Sequence, residues 1–398
     1  MLESDEAARR LGVKVATLYA YVSRGLLRSH PSPGSRRSLF DLDDIERLAR
    51  RDRAGDRVST RLATVATSVT QIRPDGPRYR GVPATDLAGT SSFEEVAELL
   101  WGDAGRTGTT AGWEALSLPT PPALGAFDRL RWSVVMAGAA NPLRADLRPE
   151  AVTGSARRLV ATMVAALPGD GPGGGSVAGR LAGRLVDRPA PAFVDAVNRA
   201  LVLLADHELA TSTVAVRVAA STRADLWDAV LAGVGTIAGP LHGGASQLAY
   251  GLLVDADRVG PERALDDTLR WQRVLPGFGH TVYVDGDPRY GILAEAFEAS
   301  ATPDQRRLVA DMVALASDHG IPAPNVDLAL AALAWSAGLP ADTGRTVFTV
   351  ARVAGWTAHY LEELGERPLR FRARAVYGSE HPGAAPAGEL PPGPTIGA

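Results

Sequence analysis

The chain has no cysteine, and this absence excludes several kinds of chemistry. A protein without cysteine forms no disulfide, has no thiolate nucleophile and offers no cysteine ligand to a metal. Lysine is nearly absent as well, because Lys14 is the only one, so arginine carries almost all of the positive charge. Arginine presents a planar fork of donors that matches carboxylates and phosphates better than an ammonium group does. Histidine, carboxylate and arginine side chains are therefore the candidates for any site.

Long apolar runs are missing too. No uninterrupted apolar stretch reaches the roughly 18 residues that indicate a membrane-spanning helix. Residues 1–6 (MLESDE) are acidic, unlike a secretory signal peptide. We therefore expect a cytoplasmic protein without a membrane partner. At 398 residues, of which 45% are hydrophobic, the chain is long enough for two or more domains.

The first 57 residues differ in charge from the rest of the chain. They hold 12 Lys and Arg against 9 Asp and Glu, whereas the whole chain has a net charge of −3. Their pattern predicts a helix capped at Ser4, a break at Gly12, a second helix over residues 17–22, a basic wing over 30–38 and a closing helix over 42–48. This pattern resembles the small winged helix-turn-helix domains of the MerR and excisionase-like group.

In that group the second helix reads the major groove of DNA and the wing contacts phosphate. The resemblance implies DNA contacts at five residues: Lys14, Thr17, Tyr21, Arg36 and Arg37. Such domains also serve as protein–protein adaptors. Residues 1–57 are accordingly expected to bind DNA, with a protein partner as the alternative.

From residue 58 onward the apolar pattern is mainly helical. A short hairpin is predicted near its start, where Asp75-Gly76 follows an alternating segment from residue 65. Helices are then predicted over residues 93–100, 156–167, 192–204, 212–220, 226–237 and 347–364. Residues 379–398 are rich in proline, glycine and alanine, which predicts a disordered tail.

Three short polar clusters in the second half of the chain each surround one ionisable residue. They are residues 239–245 (GPLHGGA) with His242, residues 276–280 (PGFGH) with His280, and residues 324–327 (PNVD) with Asp327. Glycine lets the backbone approach a ligand closely, and proline fixes the turn that aims the side chain. Two imidazoles and a carboxylate can supply hydrogen-bond donors and a general base. Taken singly, each histidine could be a buried structural residue, and Asp327 could be the N-cap of the helix that follows it.

Further motifs in the same order carry a family resemblance. They are residues 79–81 (YRG), 91–96 (SSFEEV), 205–208 (ADHE), the three clusters above, 287–289 (DPR) and 351–356 (ARVAGW). Together they resemble the citrate synthase family, from about residue 60 to about residue 378. The resemblance implies a mainly α, two-domain helical fold with a large and a small domain, preceded here by the winged helix-turn-helix domain. The body would cover residues 58–378, the small domain about 243–340, and the protein would be a homodimer.

The resemblance also implies an acyltransferase that condenses acetyl-CoA with oxaloacetate and hydrolyses citryl-CoA to citrate and CoA. Asp327 would take a proton from the thioester methyl group, His242 would donate to the thioester carbonyl, and His280 would polarise the ketone of oxaloacetate. The substrate carboxylates would be held by four residues: His207, Arg289, Arg352 and Arg372. Arg372 would reach the site of the other subunit. Acetyl-CoA would be a co-substrate, with no permanently bound cofactor and no metal.

Two departures from the family pattern leave the identity of the thioester substrate open. Thr281 and the segment 284–286 (VDG) stand where the family often has basic residues, near the expected position of the CoA phosphates. The run after Asp327 is apolar, which predicts a drier carboxylate with a raised pKa.

Three functions follow from the sequence. The first is a synthase that makes citrate from acetyl-CoA, or 2-methylcitrate from propionyl-CoA. The second is a DNA-binding transcription regulator that uses the synthase fold as a metabolite sensor. The third is a condensing enzyme for another 2-oxo acid. We favour the enzyme because a sensor would not need the base Asp327 together with the donor His242.

Overall fold

A computed structural model of the chain describes most of the body (residues 58–378) and part of the head (residues 1–57). In the body it describes residues 65–102, 113–121, 123–169, 171, 175–272 and 274–372. In the first 64 residues it describes 2–11, 15, 18, 22, 27, 29–31 and 38–41. The chain divides into two compact units, Met1–Ala66 and Thr67–Ala398.

The first unit combines a helix with a small antiparallel sheet. Strand β1 (Leu2–Glu3) leads directly into helix α1 (Ser4–Leu11), and β2 (Ser29–Pro31) and β3 (Ser38–Phe40) form a hairpin in the predicted wing. The sheet order is β1-β3-β2. A small core holds it together: Ala7, Ala8, Leu18, Leu27 and Phe40. The five predicted DNA contacts, Lys14, Thr17, Tyr21, Arg36 and Arg37, lie outside the described residues.

The second unit opens with the predicted hairpin. Strands β4 (Thr70–Arg73) and β5 (Gly76–Tyr79) are antiparallel and turn at residues 74–75, and β6 (Val82–Pro83) pairs with β5. Gly76 has a φ of +120°, a conformation that explains the glycine at this turn. The Tyr79 hydroxyl donates to the Val202 carbonyl at 3.0 Å, so the hairpin is fastened to the helical core.

The rest of the described body is helical, and every predicted helix is present. The helices are α2 (Ala84–Thr90), α3 (Phe93–Trp101), α4 (Ala126–Ala140), α5 (Pro149–Ala166), α6 (Val177–Leu185), α7 (Pro191–Leu204), α8 (Thr211–Ser221), α9 (Leu226–Ile237), α10 (Ala245–Val259), α11 (Pro261–Trp271), α12 (Pro288–Ser300), α13 (Pro303–Asp318), α14 (Val326–Ser336) and α15 (Thr343–Leu364). Helix α5 starts seven residues before its predicted start, because Pro149 occupies the first turn. No described helix is long and apolar enough to cross a membrane.

Helix α15 is the central element of the body. It is buried on nearly all sides, and it packs against α7, α8 and α5. Two contacts of α15 require glycine: a Cβ on Gly233 of α9 would lie 2.9 Å from the Trp356 ring, and one on Gly355 of α15 would overlap Oδ1 of Asp206. Arg352, one turn before Trp356 on the same helix, is itself buried.

A buried polar chain ties α15 to α8 and to the loop that carries His207. Arg217 pairs with Glu363 at 2.9 Å and with Glu362 at 2.6 Å, and it donates to Nδ1 of His359 at 3.0 Å. Because Nδ1 of His359 is an acceptor, Nε2 carries the hydrogen and donates to Oδ2 of Asp206 at 3.1 Å. These bonds fix Asp206, the residue that precedes His207.

Candidate active site

A cleft of about 450 Å³ in the body gathers the predicted site residues. Six of the seven predicted catalytic and substrate-binding residues line it: His207, His242, His280, Arg289, Asp327 and Arg352. They come from loops and helices that are up to 145 residues apart in the sequence. The seventh, Arg372, is exposed near the end of the described chain and does not line this cleft.

His242 lies in the tight turn between α9 and α10. A Cβ on Gly243 would lie 2.5 Å from the Ile237 carbonyl, and one on Gly244 would lie 2.8 Å from Cα of Pro240, so both positions require glycine. Nε2 of His242 lies 2.8 Å from the Ser212 hydroxyl oxygen. That oxygen also accepts a hydrogen bond from Nε1 of Trp356 at 3.3 Å.

The Ser212 hydroxyl decides which nitrogen of His242 carries the hydrogen. Ser212 is buried, and among the described residues its hydroxyl hydrogen has no acceptor other than Nε2 of His242, which leaves the imidazole hydrogen on Nδ1. Burial, together with the positive charge of Arg352, lowers the pKa of His242 to about 4. His242 is therefore a neutral hydrogen-bond donor near pH 7. The sequence pattern did not single out Ser212, which reads there as one more residue at the start of a helix.

His280 is oriented by its own loop. The backbone N–H groups of Val282 and Tyr283 donate to Nδ1 of His280 at 3.0 and 3.2 Å. Nη2 of Arg289, which can only donate, also lies 3.4 Å from Nε2. The two shorter backbone bonds to Nδ1 decide the tautomer, so Nε2 carries the hydrogen in the neutral ring. Burial and the neighbouring Arg289 cation lower the pKa of His280, so this ring is also neutral. Gly279, with a φ of +72°, allows the turn that presents the ring to the cleft.

The second and third polar clusters are joined by hydrogen bonds. The Gly279 N–H donates to the Ala323 carbonyl at 2.8 Å, and the Asn325 N–H donates to the Gly277 carbonyl at 2.9 Å. The Asn325 side-chain amide donates to the Gly279 carbonyl at 2.7 Å. His280 and Asp327 are thus held in one rigid unit.

Asp327 stands in the first turn of α14 without being its cap. The N-cap is Asn325, whose side-chain oxygen accepts the Asp327 N–H at 3.0 Å. The capping alternative for Asp327 is therefore wrong, and its carboxylate is left to face the cleft. Burial, reinforced by the Asp287 charge and partly offset by Arg289, raises the pKa of Asp327 to about 6. This is the value of a base that is ionised at neutral pH yet accepts a proton readily.

The two arginines of the cleft are held differently. Arg289 is buried and pairs with Asp287 through Nε and Nη2, at 2.9 and 2.8 Å. Arg352 is also buried, but within the described residues it has no carboxylate in salt-bridge range; it donates through Nε to the Leu204 carbonyl at 2.8 Å and lies 4.5 Å from the centre of the Phe348 ring. Burial lowers the pKa of Arg352 to about 10, and its Nη1 is buried without a partner. The charge of Asp206 acts on Arg352 without a salt bridge between them, so the buried guanidinium group keeps a free donor for an anionic ligand.

His207 completes the polar wall of the cleft. Its Nε2 lies 3.1 Å from the Tyr283 hydroxyl, and its ring centre lies 5.5 Å from that of His280. Burial and the charges of Arg289 and Arg352 hold the pKa of His207 well below its usual value. Burial raises the pKa of Tyr283 to about 12, so its hydroxyl stays protonated. Tyr283, which sequence reasoning missed, is thus a further donor beside the site.

The arrangement suits proton abstraction next to a carbonyl. A carboxylate base and two neutral imidazole donors line one cleft, and two buried guanidinium groups beside them can hold a ligand's carboxylates. No cluster of three or more metal-binding side chains occurs in the part of the chain that the structure describes.

Comparisons with known proteins assign the family. The model of the citrate synthase C-terminal domain matches residues 59–374, and that of a helix-turn-helix domain matches residues 1–53. Citrate synthase 2 of Bacillus subtilis is 36% identical over 199 residues, which cover 48% of this chain and 52% of that protein, so the match spans about half the length of that relative. A 2-methylcitrate synthase of Mycobacterium tuberculosis is 30% identical over 357 residues, covering 80% of this chain and 90% of that protein.

A solved structure has the same fold. The citrate synthase of Thermoplasma acidophilum, in a ternary complex with carboxymethyl coenzyme A and oxaloacetate, matches with a TM-score of 0.64 at 23% identity, covering 84% of this chain and 98% of that one. The predicted fold class is thereby confirmed. The chain belongs to the citrate synthase family and carries a helix-turn-helix domain at its N-terminus.

Proposed function

We propose that this protein condenses an acyl-CoA with oxaloacetate. Asp327 removes a proton from the carbon next to the thioester, while Nδ1–H of His242 donates to the thioester oxygen as the enolate forms. The enolate carbon attacks the ketone carbon of oxaloacetate, and Nε2–H of His280 donates to the ketone oxygen, which becomes the product hydroxyl. Water then cleaves the thioester and releases the hydroxy acid and the CoA thiol.

One observation carries this proposal. The Asp327 carboxylate shares its cleft with two imidazoles, those of His242 and His280, whose hydrogen-bond partners determine which ring nitrogen carries the hydrogen. Ser212 leaves the hydrogen on Nδ1 of His242, and the loop after His280 leaves it on Nε2. A carbon acid beside a thioester is weak, so a base acts on it only together with a donor to the carbonyl. The unpaired Arg352, with Arg289 and His207, supports a dicarboxylate acceptor in the same cleft.

Acetyl-CoA and propionyl-CoA are both candidates, because the relatives include citrate synthases and 2-methylcitrate synthases. We favour acetyl-CoA and citrate. The test is to incubate the protein with oxaloacetate and an equimolar mixture of both thioesters, and then to identify and quantify the products by mass spectrometry. Citrate in excess supports the first candidate, and 2-methylcitrate in excess supports the second. If neither hydroxy acid forms, the proposed condensation is wrong.

The turnover number should depend on pH through Asp327. The base acts only when it is ionised, and its pKa is about 6. Below that pH we expect kcat to fall about tenfold per pH unit, and above it to level off. His242 adds no second step in this range because its pKa is about 4. A rate profile from pH 5 to 8 would check this, and a kcat that is flat through pH 6 would remove Asp327 as the base.

We also propose a homodimer in which Arg372 serves the cleft of the partner subunit. Its exposure and its absence from the cleft of its own chain support this. Mixing inactive Arg372→Ala and Asp327→Ala proteins would test it. A reassociated 1:1 mixture should regain about one quarter of the wild-type activity, because about half of the dimers are hybrids and one of the two sites in each hybrid has both residues intact. If Arg372 served its own subunit, no mixture would recover activity.

The head is proposed to bind DNA. The match to a helix-turn-helix domain and the wing hairpin support this, and the predicted contacts are Lys14, Thr17, Tyr21, Arg36 and Arg37. Fluorescence anisotropy with the DNA upstream of the protein's own coding region, at several salt concentrations, tests it. Salt-sensitive binding that Arg36→Ala and Arg37→Ala weaken supports DNA binding. The same affinity in those variants would favour an adaptor role.

A further inference from the structure

Tyr283 lies in the loop between α11 and α12, three residues after His280, and only 3% of it is exposed. Its side chain contacts two of the three histidines that line the cleft. The hydroxyl oxygen lies 3.1 Å from Nε2 of His207. The ring stacks on that of His280, with 4.8 Å between the ring centres and 28° between the planes. One buried side chain thus supports a residue assigned to the acceptor's carboxylates and a residue assigned to its ketone.

The hydroxyl of Tyr283 acts on His207. Among the described residues it has no other hydrogen-bond partner. A buried hydroxyl hydrogen without an acceptor is costly, so the hydroxyl donates to Nε2 of His207, and the hydrogen of the neutral imidazole then lies on Nδ1. Burial raises the pKa of Tyr283 to about 12, so this donor stays protonated near neutral pH. The tautomer of His207 therefore depends on Tyr283, as that of His242 depends on Ser212.

The ring of Tyr283 acts on His280. The backbone N–H of Tyr283 donates to Nδ1 of His280 at 3.2 Å, and the stacked ring covers one face of the imidazole. The guanidinium carbon of Arg289 lies 5.4 Å from the centre of the Tyr283 ring, so the same ring also borders the cation next to His280. The backbone bond holds one imidazole nitrogen, and the stacking holds the plane of the ring. Together they fix the direction in which Nε2–H of His280 points.

We propose that Tyr283 is a positioning residue for the condensation, with a separate task for each part of its side chain. The hydroxyl fixes His207, which holds a carboxylate of the acceptor, and the ring fixes His280, which donates to the ketone oxygen. This inference rests on the proposed function and adds a residue that does not itself line the cleft. Loss of the hydroxyl should therefore weaken acceptor binding, whereas loss of the ring should also slow the reaction.

Two substitutions in the full-length protein separate the two tasks, and both keep the backbone N–H of residue 283. Tyr283→Phe removes the hydroxyl and keeps the stacking. We expect it to weaken the affinity for oxaloacetate by about five- to tenfold, with kcat within about threefold of the wild type. Tyr283→Leu removes the ring as well, and kcat should fall by about a further tenfold or more, because a misplacement of about 1 Å can cost about 10²-fold. If the two variants had the same kcat, the ring would not position His280 and the inference would be overturned.

Nuclear magnetic resonance of the imidazole nitrogens tests the hydroxyl directly in the ligand-free protein. His207 should be the Nδ1–H tautomer in the wild type and a mixture of tautomers in Tyr283→Phe, while His280 stays the Nε2–H tautomer in both. This measurement needs no turnover, so it decides the inference even if no thioester is consumed and the proposed condensation fails. A His207 tautomer that is the same in the wild type and in Tyr283→Phe would overturn the inference.

A double-mutant cycle with His207→Ala shows whether the hydroxyl acts through His207. Calorimetric titration of oxaloacetate gives the affinity of each protein in the cycle. Tyr283→Phe should weaken binding in the wild type and add less than about a twofold loss in the His207→Ala background. Fully additive losses would mean that the hydroxyl contributes independently of His207, which contradicts a positioning role.

Tyr250→Phe is the matched control for the loss of a tyrosine hydroxyl. Tyr250 of α10 donates to the Leu339 carbonyl at 2.9 Å and does not line the cleft. Its replacement should leave kcat, the affinity for oxaloacetate and the tautomer of His207 unchanged. If Tyr250→Phe weakened oxaloacetate binding as much as Tyr283→Phe does, the effect would reflect general stability, and the assignment of a positioning role to Tyr283 would be wrong.

Discussion

Replacing Asp327 with asparagine is expected to lower kcat by about 10³-fold while changing the affinity for oxaloacetate by less than about threefold. The substitution keeps the shape of the side chain and removes only its ability to take a proton. Asp327 is not the cap of α14, because Asn325 fills that position, so the helix should keep its N-terminus. Steady-state kinetics and calorimetric titration of oxaloacetate measure the two effects separately.

Asp304→Asn is a matched control for this experiment. Asp304 is 93% exposed in the first turn of α13, where it pairs loosely with Arg307 at 3.7 Å. Its replacement should leave both kcat and affinity unchanged. If Asp327→Asn kept a kcat within tenfold of the wild type, another group would be the base and the mechanism proposed above would be wrong.

Replacing Arg352 with methionine is expected to raise the KM for oxaloacetate by about 10²-fold or more, because a buried charge-assisted contact to a carboxylate is lost. The ligand-free protein should lose little stability, since the substitution removes a buried cation that makes no salt bridge among the described residues and interacts with the charge of Asp206 only at longer range. Methionine fills a similar space, and the one clear loss is the hydrogen bond to the Leu204 carbonyl. Steady-state kinetics measures the change in KM, and thermal unfolding of the ligand-free protein measures the change in stability.

Arg217→Met is the contrasting variant. Arg217 is as deeply buried as Arg352 but pairs with Glu362 and Glu363. Its removal leaves those carboxylates uncompensated, and we expect the free energy of unfolding to fall by about 3–5 kcal/mol. If Arg352→Met destabilised the protein as much as Arg217→Met does, Arg352 would be a structural residue rather than a ligand for the substrate.

The sequence alone predicted the parts of the site that depend on local chemistry. Glycine and proline beside His242, His280 and Asp327 indicate constrained backbone, and the structure explains it at Gly243, Gly244 and Gly279 by close approaches and a positive φ. Helical periodicity likewise predicted six of the fourteen described helices of the body, α3, α5, α7, α8, α9 and α15, with α5 and α15 starting seven and four residues earlier than predicted. These features are readable because each depends on residues within one or two turns of the chain.

Ser212 and Tyr283 could not be predicted in the same way. Ser212 acts on His242 from 30 residues away, and Tyr283 meets His207 from 76 residues away. Neither residue stands in a constrained turn of the kind that drew attention to the histidines. The choice between a cap and a base at Asp327 also needed the structure, because Asn325 and Asp327 are both good capping residues by type.

The most direct test of the proposed condensation is the release of CoA thiol from acetyl-CoA, with and without oxaloacetate, in wild-type protein and in Asp327→Asn. A thiol reagent is suitable because the protein has no cysteine to consume it. We predict that the wild type releases thiol only when oxaloacetate is present and that Asp327→Asn releases almost none. Release that does not depend on oxaloacetate, or its absence from wild-type protein that binds oxaloacetate, would contradict the assignment of this cleft as a condensing site.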